Sequence, residues 1–144
     1  MKTLHELFKE LEVYWSDDFY DKMAENWDDC HDAVFVYNTE TEKARFGQMP
    51  KDTWYYIKGD ILLARMHKPT EMNYETTDLF TEEEMEIIYD KYDGDWSDYV
   101  KFHPEYSIEE RVENASRNYF ETNWSLFYIE MEDKLMEGHG VKNG

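Results

Sequence analysis

The stretch from Tyr89 to Tyr106, YDKYDGDWSDYVKFHPEY, alternates carboxylates with aromatic rings almost without interruption. Carboxylates at this density can ligate a cation, move a proton, or meet a positive surface. Asp93-Gly94-Asp95 invites the calcium test first. A calcium-binding helix–loop–helix needs acidic ligands at the start of its loop, a glycine midway and a closing glutamate. With Gly94 as that glycine, the first, third and last ligand positions fall on Tyr89, Lys91 and Val100, so the match fails.

Asp28-Asp-Cys-His-Asp32 offers a second cluster. Zinc needs ligands that converge from separated points of the chain. No CxxC, HxxxH or HExxH motif accompanies Cys30 and His31, and His67 and His103 are distant in sequence. The plain reading is a helix end entering a strand. No metal and no cofactor are expected. Nucleophile and nucleotide signatures (GxSxG, GxGxxG, a Walker loop) are absent, and six glycines leave little for a phosphate-cradling loop. A small metal-assisted enzyme using Asp28, His31 or His103 is the alternative to a binding protein. It would need one carboxyl group raised in an apolar pocket.

The surface reading fits the spacing better. On a helix from Thr81 to Asp93, the residues Met85, Ile88, Tyr89 and Tyr92 share one face. Glu82, Glu86, Asp90 and Asp93 share the neighbouring one. Four helical residues advance ~6 Å, a distance of the same order as that between phosphates along a nucleic-acid strand. The expected partner-binding residues are Glu82, Glu83, Glu86, Asp90, Asp93, Asp95 and Asp98, with Trp96 and Tyr99 as aromatic anchors. Asp18, Asp21, Glu25 and Asp28 recur at i, i+3, i+7 and i+10 and are expected to form a second row.

The elements that position these residues follow from pattern. Thr3 and Glu6 read as a capping box before a helix carrying Leu4, Leu7, Phe8, Leu11, Tyr14 and Trp15. Ser16 suits the cap of a second helix, with Tyr20, Met23, Ala24 and Trp27 as its apolar line. Ala33–Asn38 reads as a strand, Thr39–Glu42 as a turn, and Lys43–Gln48 as the return strand. Trp54–Arg65 reads as a hairpin around Lys58-Gly59-Asp60; a helix from Asp60 is the alternative. Residues 69–80 read as a loop, Thr81 as a helix cap, and Gly94 as that helix's interruption. Ser107 and Glu110 form a capping box for a helix to about Glu137, with Val112, Ala115, Tyr119, Phe120, Phe127, Met131 and Leu135 inward and Gly138 as its stop. The expected fold is α+β: a small antiparallel sheet over about residues 33–65, flanked by N-terminal and C-terminal helices. It is expected to form one domain, 1–137, with a flexible tail, 138–144.

Charge then bounds the partner. The 144 residues carry 34 acids and 15 Lys or Arg, a net charge of −19. Residues 43–68 are the exception, with six bases against two acids. Such a chain repels nucleic acid and anionic membranes and attracts basic proteins. Its 17% aromatic content argues against wholesale disorder. One cysteine and no apolar run of membrane length point to a cytoplasmic protein. Expected is an acidic inhibitor of a basic nucleic-acid-handling protein, a nuclease or a CRISPR or restriction complex, acting as a nucleic-acid mimic. In composition it is similar to phage anti-CRISPR and anti-restriction proteins and to the immunity proteins of nuclease toxins.

Overall fold

Thr3 accepts the Glu6 amide on its hydroxyl at 3.1 Å, and the apolar line behind it folds as helix α1 (Leu4–Glu10). The computed structural model describes residues 2–52 and 57–140. Helix α1 ends earlier than its apolar line suggests. Glu12 takes a left-handed φ of 59°, and the Val13 amide closes the turn on the Phe8 carbonyl at 2.7 Å. Tyr14 and Trp15, expected to pack inward, are therefore exposed. Helix α2 (Ser16–Ala24) has Trp15, not Ser16, at its N-cap, and Ser16 is buried in the first turn.

Three strands follow: β1 (His31–Asn38), β2 (Lys43–Pro50) and β3 (Asp60–Met66). They pair antiparallel in the order β2-β1-β3. Phe35 lies opposite Phe46 on one side and Ala64 on the other. Strand β3 replaces the alternative helix at Asp60. The first arm of the expected hairpin falls largely on residues 53–56, outside the described residues. Gly59, at φ 93°, stands where a Cβ would come within 3.0–3.1 Å of Glu40, Asn38 and Thr39 side chains.

Central strand β1 is buried along nearly its whole length, which explains its continuous apolar sequence. Ala33, Phe35 and Tyr37 enter the main core, while Val34 and Val36 join Met49 in a smaller cluster on the other face. The main core centres on Phe19, absent from the apolar line read in the sequence. Its ring lies 5.4–5.9 Å from those of Phe8, Phe35, Phe46, Phe120, Trp124 and Phe127.

Residues 69–80 are not an unstructured loop. They hold a 3-10 turn (Glu71–Asn73) and the short helix α3 (Thr76–Leu79). Helices α4 (Glu82–Tyr92), α5 (Trp96–Phe102) and α6 (Ile108–Gly140) complete the chain. Helix α6 begins at the predicted box, the Ser107 hydroxyl accepting the Glu110 amide at 3.1 Å. It continues past Gly138, and Tyr119 is exposed rather than inward. The architecture is thus a small α+β fold, with helices before a three-stranded antiparallel sheet and a long helix at the C-terminal end.

The chain forms two compact units. Unit 1 is Met1–Lys68 with Phe120–Gly144, and unit 2 is Pro69–Tyr119. Unit 2 has its own core of Leu79, Phe80, Ile88, Tyr99, Val112 and Ala115.

Candidate functional site

Unit 2 concentrates acid: 15 Asp or Glu against four Lys or Arg. How α4 is seated decides which of them face outward. Thr81 and Glu84 form a complete capping box, the Glu84 amide donating to Thr81 Oγ1 at 3.2 Å and the Thr81 amide to Glu84 Oε1 at 3.0 Å. Thr81→Ala is expected to cost about 1 kcal/mol, read as a lower denaturation midpoint for unit 2.

Glu84 is also held from the side. Arg111, only 7% exposed, donates Nη1 to Oε1 at 3.0 Å and Nη2 to Oε2 at 2.8 Å. The Tyr99 hydroxyl adds a third donor at 3.1 Å. The Arg111 bonds, with the Thr81 amide and Tyr99 hydroxyl, outweigh burial and bring the Glu84 carboxyl down to about 2. The guanidinium lies over the Phe80 ring at 4.5 Å. Its Nε has no hydrogen-bond acceptor among the described residues; ring stacking is the compensation the geometry offers.

With Glu84 and Ile88 turned inward, Glu82, Glu83, Glu86 and Asp90 are exposed on the opposite side of α4. No ion pair joins these four to a basic residue among the described residues. Asp93 caps α4 in the left-handed conformation at φ 56°, and Gly94 follows at 84°. These two residues turn the chain so that Asp95 caps α5, accepting the Ser97 amide at 3.0 Å. The Ser97 hydroxyl and amide hold the Asp95 carboxyl below the usual range. Asp98 is exposed in the first turn of α5.

Two tyrosines of this stretch differ sharply in exposure. Tyr99, an expected anchor, is 5% exposed and packs on Phe80, Tyr92 and His103. Its hydroxyl is committed to Glu84, so it presents no ring to a partner. Tyr89, on the face read with Met85, Ile88 and Tyr92, is 65% exposed and flanks the acidic row by helical phase. Trp96 is half-buried beside Phe80. Helix α5 was not read in the sequence; Asp95-Trp-Ser97 is the cap signal that marks it.

The second row is shorter than expected. Helix α2 ends at Ala24 with Glu25 as its C-cap. Asp18 accepts the Tyr14 amide at 2.8 Å, while Asp21 and Glu25 are exposed. Asp28 lies beyond the helix and is not part of the row. It accepts the Cys30 and His31 amides at 2.7 and 2.6 Å, and His31 Nδ1 lies 2.9 Å from both its oxygens. The Cys30 amide first, then His31, keeps Asp28 below the usual range. These residues belong to unit 1, whereas the α4 row belongs to unit 2.

Sequence reasoning also missed the buried ion pairs of the sheet. Asp32, fully buried, accepts Arg65 Nε at 2.8 Å and meets His67 Nδ1 at 2.7 Å. Burial pushes its carboxyl up, but Arg65 and His67 together bring it below the usual range. Asp60 receives both Arg45 terminal nitrogens, at 3.0 and 2.8 Å, and the Asn38 amide. The Arg45 bonds chiefly bring it to about 2. The positive stretch 43–68 therefore contributes its arginines to internal pairs.

Acid stability follows from these values. Asp60 and Glu84 have folded pKa values below their unfolded ones, so their stabilisation is complete above the unfolded values of 3.8 and 4.5. It is lost as pH falls through about 2. Relief of self-repulsion acts the other way. Urea midpoints measured from pH 5 down to 2 should fall, and Glu84→Gln should flatten that fall.

His103 Nε2 lies 3.3 Å from the Tyr92 hydroxyl in unit 2, while Asp28 and His31 are in unit 1. Among the described residues, no three His, Cys, Asp or Glu side chains are grouped to hold a metal ion. No described helix is long and apolar enough to cross a membrane. Comparison of the chain with protein-family models, curated proteins and solved structures finds no match.

Proposed function

We propose that this chain is an acidic protein inhibitor that occupies the nucleic-acid site of a basic nucleic-acid-handling protein, its carboxylates standing in for phosphates. The observation that carries the reading is the α4 surface. Glu82, Glu83, Glu86 and Asp90 face outward with no ion-pair partner among the described residues, and Tyr89 stands exposed beside them. Left unpaired, these charges repel one another; a basic groove would turn that repulsion into attraction. The net charge of −19 would steer encounter at low salt, and the exposed ring would slow release. The partner class is a nuclease or a defence effector such as a CRISPR or restriction complex. The setting would be phage anti-defence or toxin immunity, in the cytoplasm, where the free Cys30 stays reduced.

The test is capture on the immobilised chain from lysate of its native host, at low salt with stepwise elution. The expected result is a basic nucleic-acid-binding protein that loses its DNA or RNA as this chain is added. Partners that are retained at high salt and keep their nucleic acid would overturn the reading.

A further inference from the structure

We propose that unit 1 holds a binding site for a small aromatic anion, in a cavity of about 370 Å³ formed by α1, the turn after it and α6. The site is separate from the acidic surface and does not rest on the inhibitor reading. Five of the eight described residues that line it are aromatic: Phe8, Tyr14, Trp15, Trp124 and Tyr128. The Phe8 ring lies 6.0 Å from Trp124, nearly parallel, and meets Tyr128 edge-on at 5.7 Å.

The charge of the lining points to the ligand. Among the described residues its ionisable bases are His5 and Lys9, and no carboxylate lines it, although the chain carries 34. Glu6, Glu10 and Glu12 alternate with these residues in sequence, yet none of the three lines the cavity. The separation has two causes. Helical phase places His5, Phe8 and Lys9 on one side of α1. The left-handed Glu12, at φ 59°, turns the chain so that Tyr14 and Trp15 reach the cavity. That conformation costs a non-glycine residue ~1 kcal/mol, and it leaves two large rings exposed at 72% and 66%. The indole N–H groups of Trp15 and Trp124 have no acceptor among the described residues.

Aromatic walls, free indole donors and an ammonium group suit a planar ring bearing a carboxylate or phosphate. The volume lies at the lower end of the range for small-molecule sites, enough for a bicyclic ring and its charged group. Ring faces would meet Trp15, Trp124 and Tyr128, and the anion would meet Lys9.

The experiment titrates the whole chain with anilinonaphthalene sulfonate and, in parallel, with uncharged phenylnaphthylamine, following probe fluorescence. Saturable sulfonate binding at one site is expected. Trp15→Ala should weaken both probes about tenfold, as loss of an aromatic anchor does. Lys9→Glu should weaken the sulfonate alone by about as much. Both side chains are exposed, so the fold should survive, and Leu126→Ser, exposed elsewhere on α6, should change neither probe. Indole acetate and guanosine monophosphate compete in a second arm; whichever displaces the probe identifies a carboxylate or a phosphate ligand. Absence of saturable binding, insensitivity to Trp15→Ala or Lys9→Glu, an equal loss in Leu126→Ser, or displacement by neither competitor would overturn the site.

Discussion

Phe19→Ala is expected to destabilise unit 1 by about 3–5 kcal/mol, in the range of large-to-small aromatic substitutions in packed cores. Phe19 is fully buried and meets six other rings within 6 Å. Those rings come from α1, β1, β2 and α6, so the cavity would open where four elements converge, and collapse of one neighbour would displace others. Phe19→Leu should cost less, because it restores part of the volume. Urea denaturation followed by tryptophan fluorescence measures both, since Trp124 is one of the six. A loss below about 1 kcal/mol for the alanine variant would mean the aromatic cluster is not the centre of the core.

Arg111→Ala is the second large effect, with about 3–5 kcal/mol expected in unit 2. Removing the guanidinium leaves Glu84 with its carboxylate largely enclosed and opens the Leu79 carbonyl, which accepts Nη1 at 3.3 Å. The carboxyl of Glu84, held at about 2 by Arg111 first, should then titrate in or above the ordinary range. Carbon NMR of the side-chain carboxyl reads that shift independently of stability. A paired Arg111→Met, Glu84→Gln variant should recover most of the loss, because removing both charges leaves neither one buried alone. If the single and the paired variants were equally unstable, the role of Arg111 would be packing against Phe80 and not charge pairing.

The consequence reaches the candidate surface. Arg111 fixes Glu84 inward, and Glu84 inward sets the helical phase that turns Glu82, Glu86 and Asp90 out. One carboxylate of the acidic run is structural and its neighbours on α4 are exposed. Sequence spacing sees a continuous run, because a lone arginine some 27 positions away leaves no local mark.

The elements most legible in the sequence were those set by local chemistry. Thr81 with Glu84 and Ser107 with Glu110 announce their helices, and Ala33–Asn38 announces a strand by its apolar, β-branched and aromatic residues. Misreadings arose where backbone turns override periodicity. Glu12 in the left-handed region ends α1 before Tyr14 and Trp15, which otherwise continue the apolar line. Asp28 fits the helical phase of Asp18, Asp21 and Glu25, but α2 has already ended, and two amides and His31 claim its carboxylate. Tyr99, read as an anchor, is buried for a related reason. A tyrosine suits core and surface alike, and only the packing of α5 on Phe80 decides between them. The alternation of acid and aromatic residues from Tyr89 to Tyr106 is thus two short helices joined at Asp93-Gly94, with an acidic exterior and a largely aromatic interior.

The most direct measurement of the acidic surface's role compares the native chain with a variant carrying Glu82→Gln, Glu86→Gln, Asp90→Asn and Asp93→Asn. Each would be titrated against the protein captured from host lysate, with its DNA or RNA bound and labelled, and release of the nucleic acid followed at several salt concentrations. If the acidic surface occupies the nucleic-acid site, the variant, folded as judged by an unchanged urea midpoint, releases nucleic acid about a hundredfold less effectively. Its salt dependence is also expected to be shallower, as four fewer charges take part. Equal release by the two proteins, with the same salt dependence, would contradict that role.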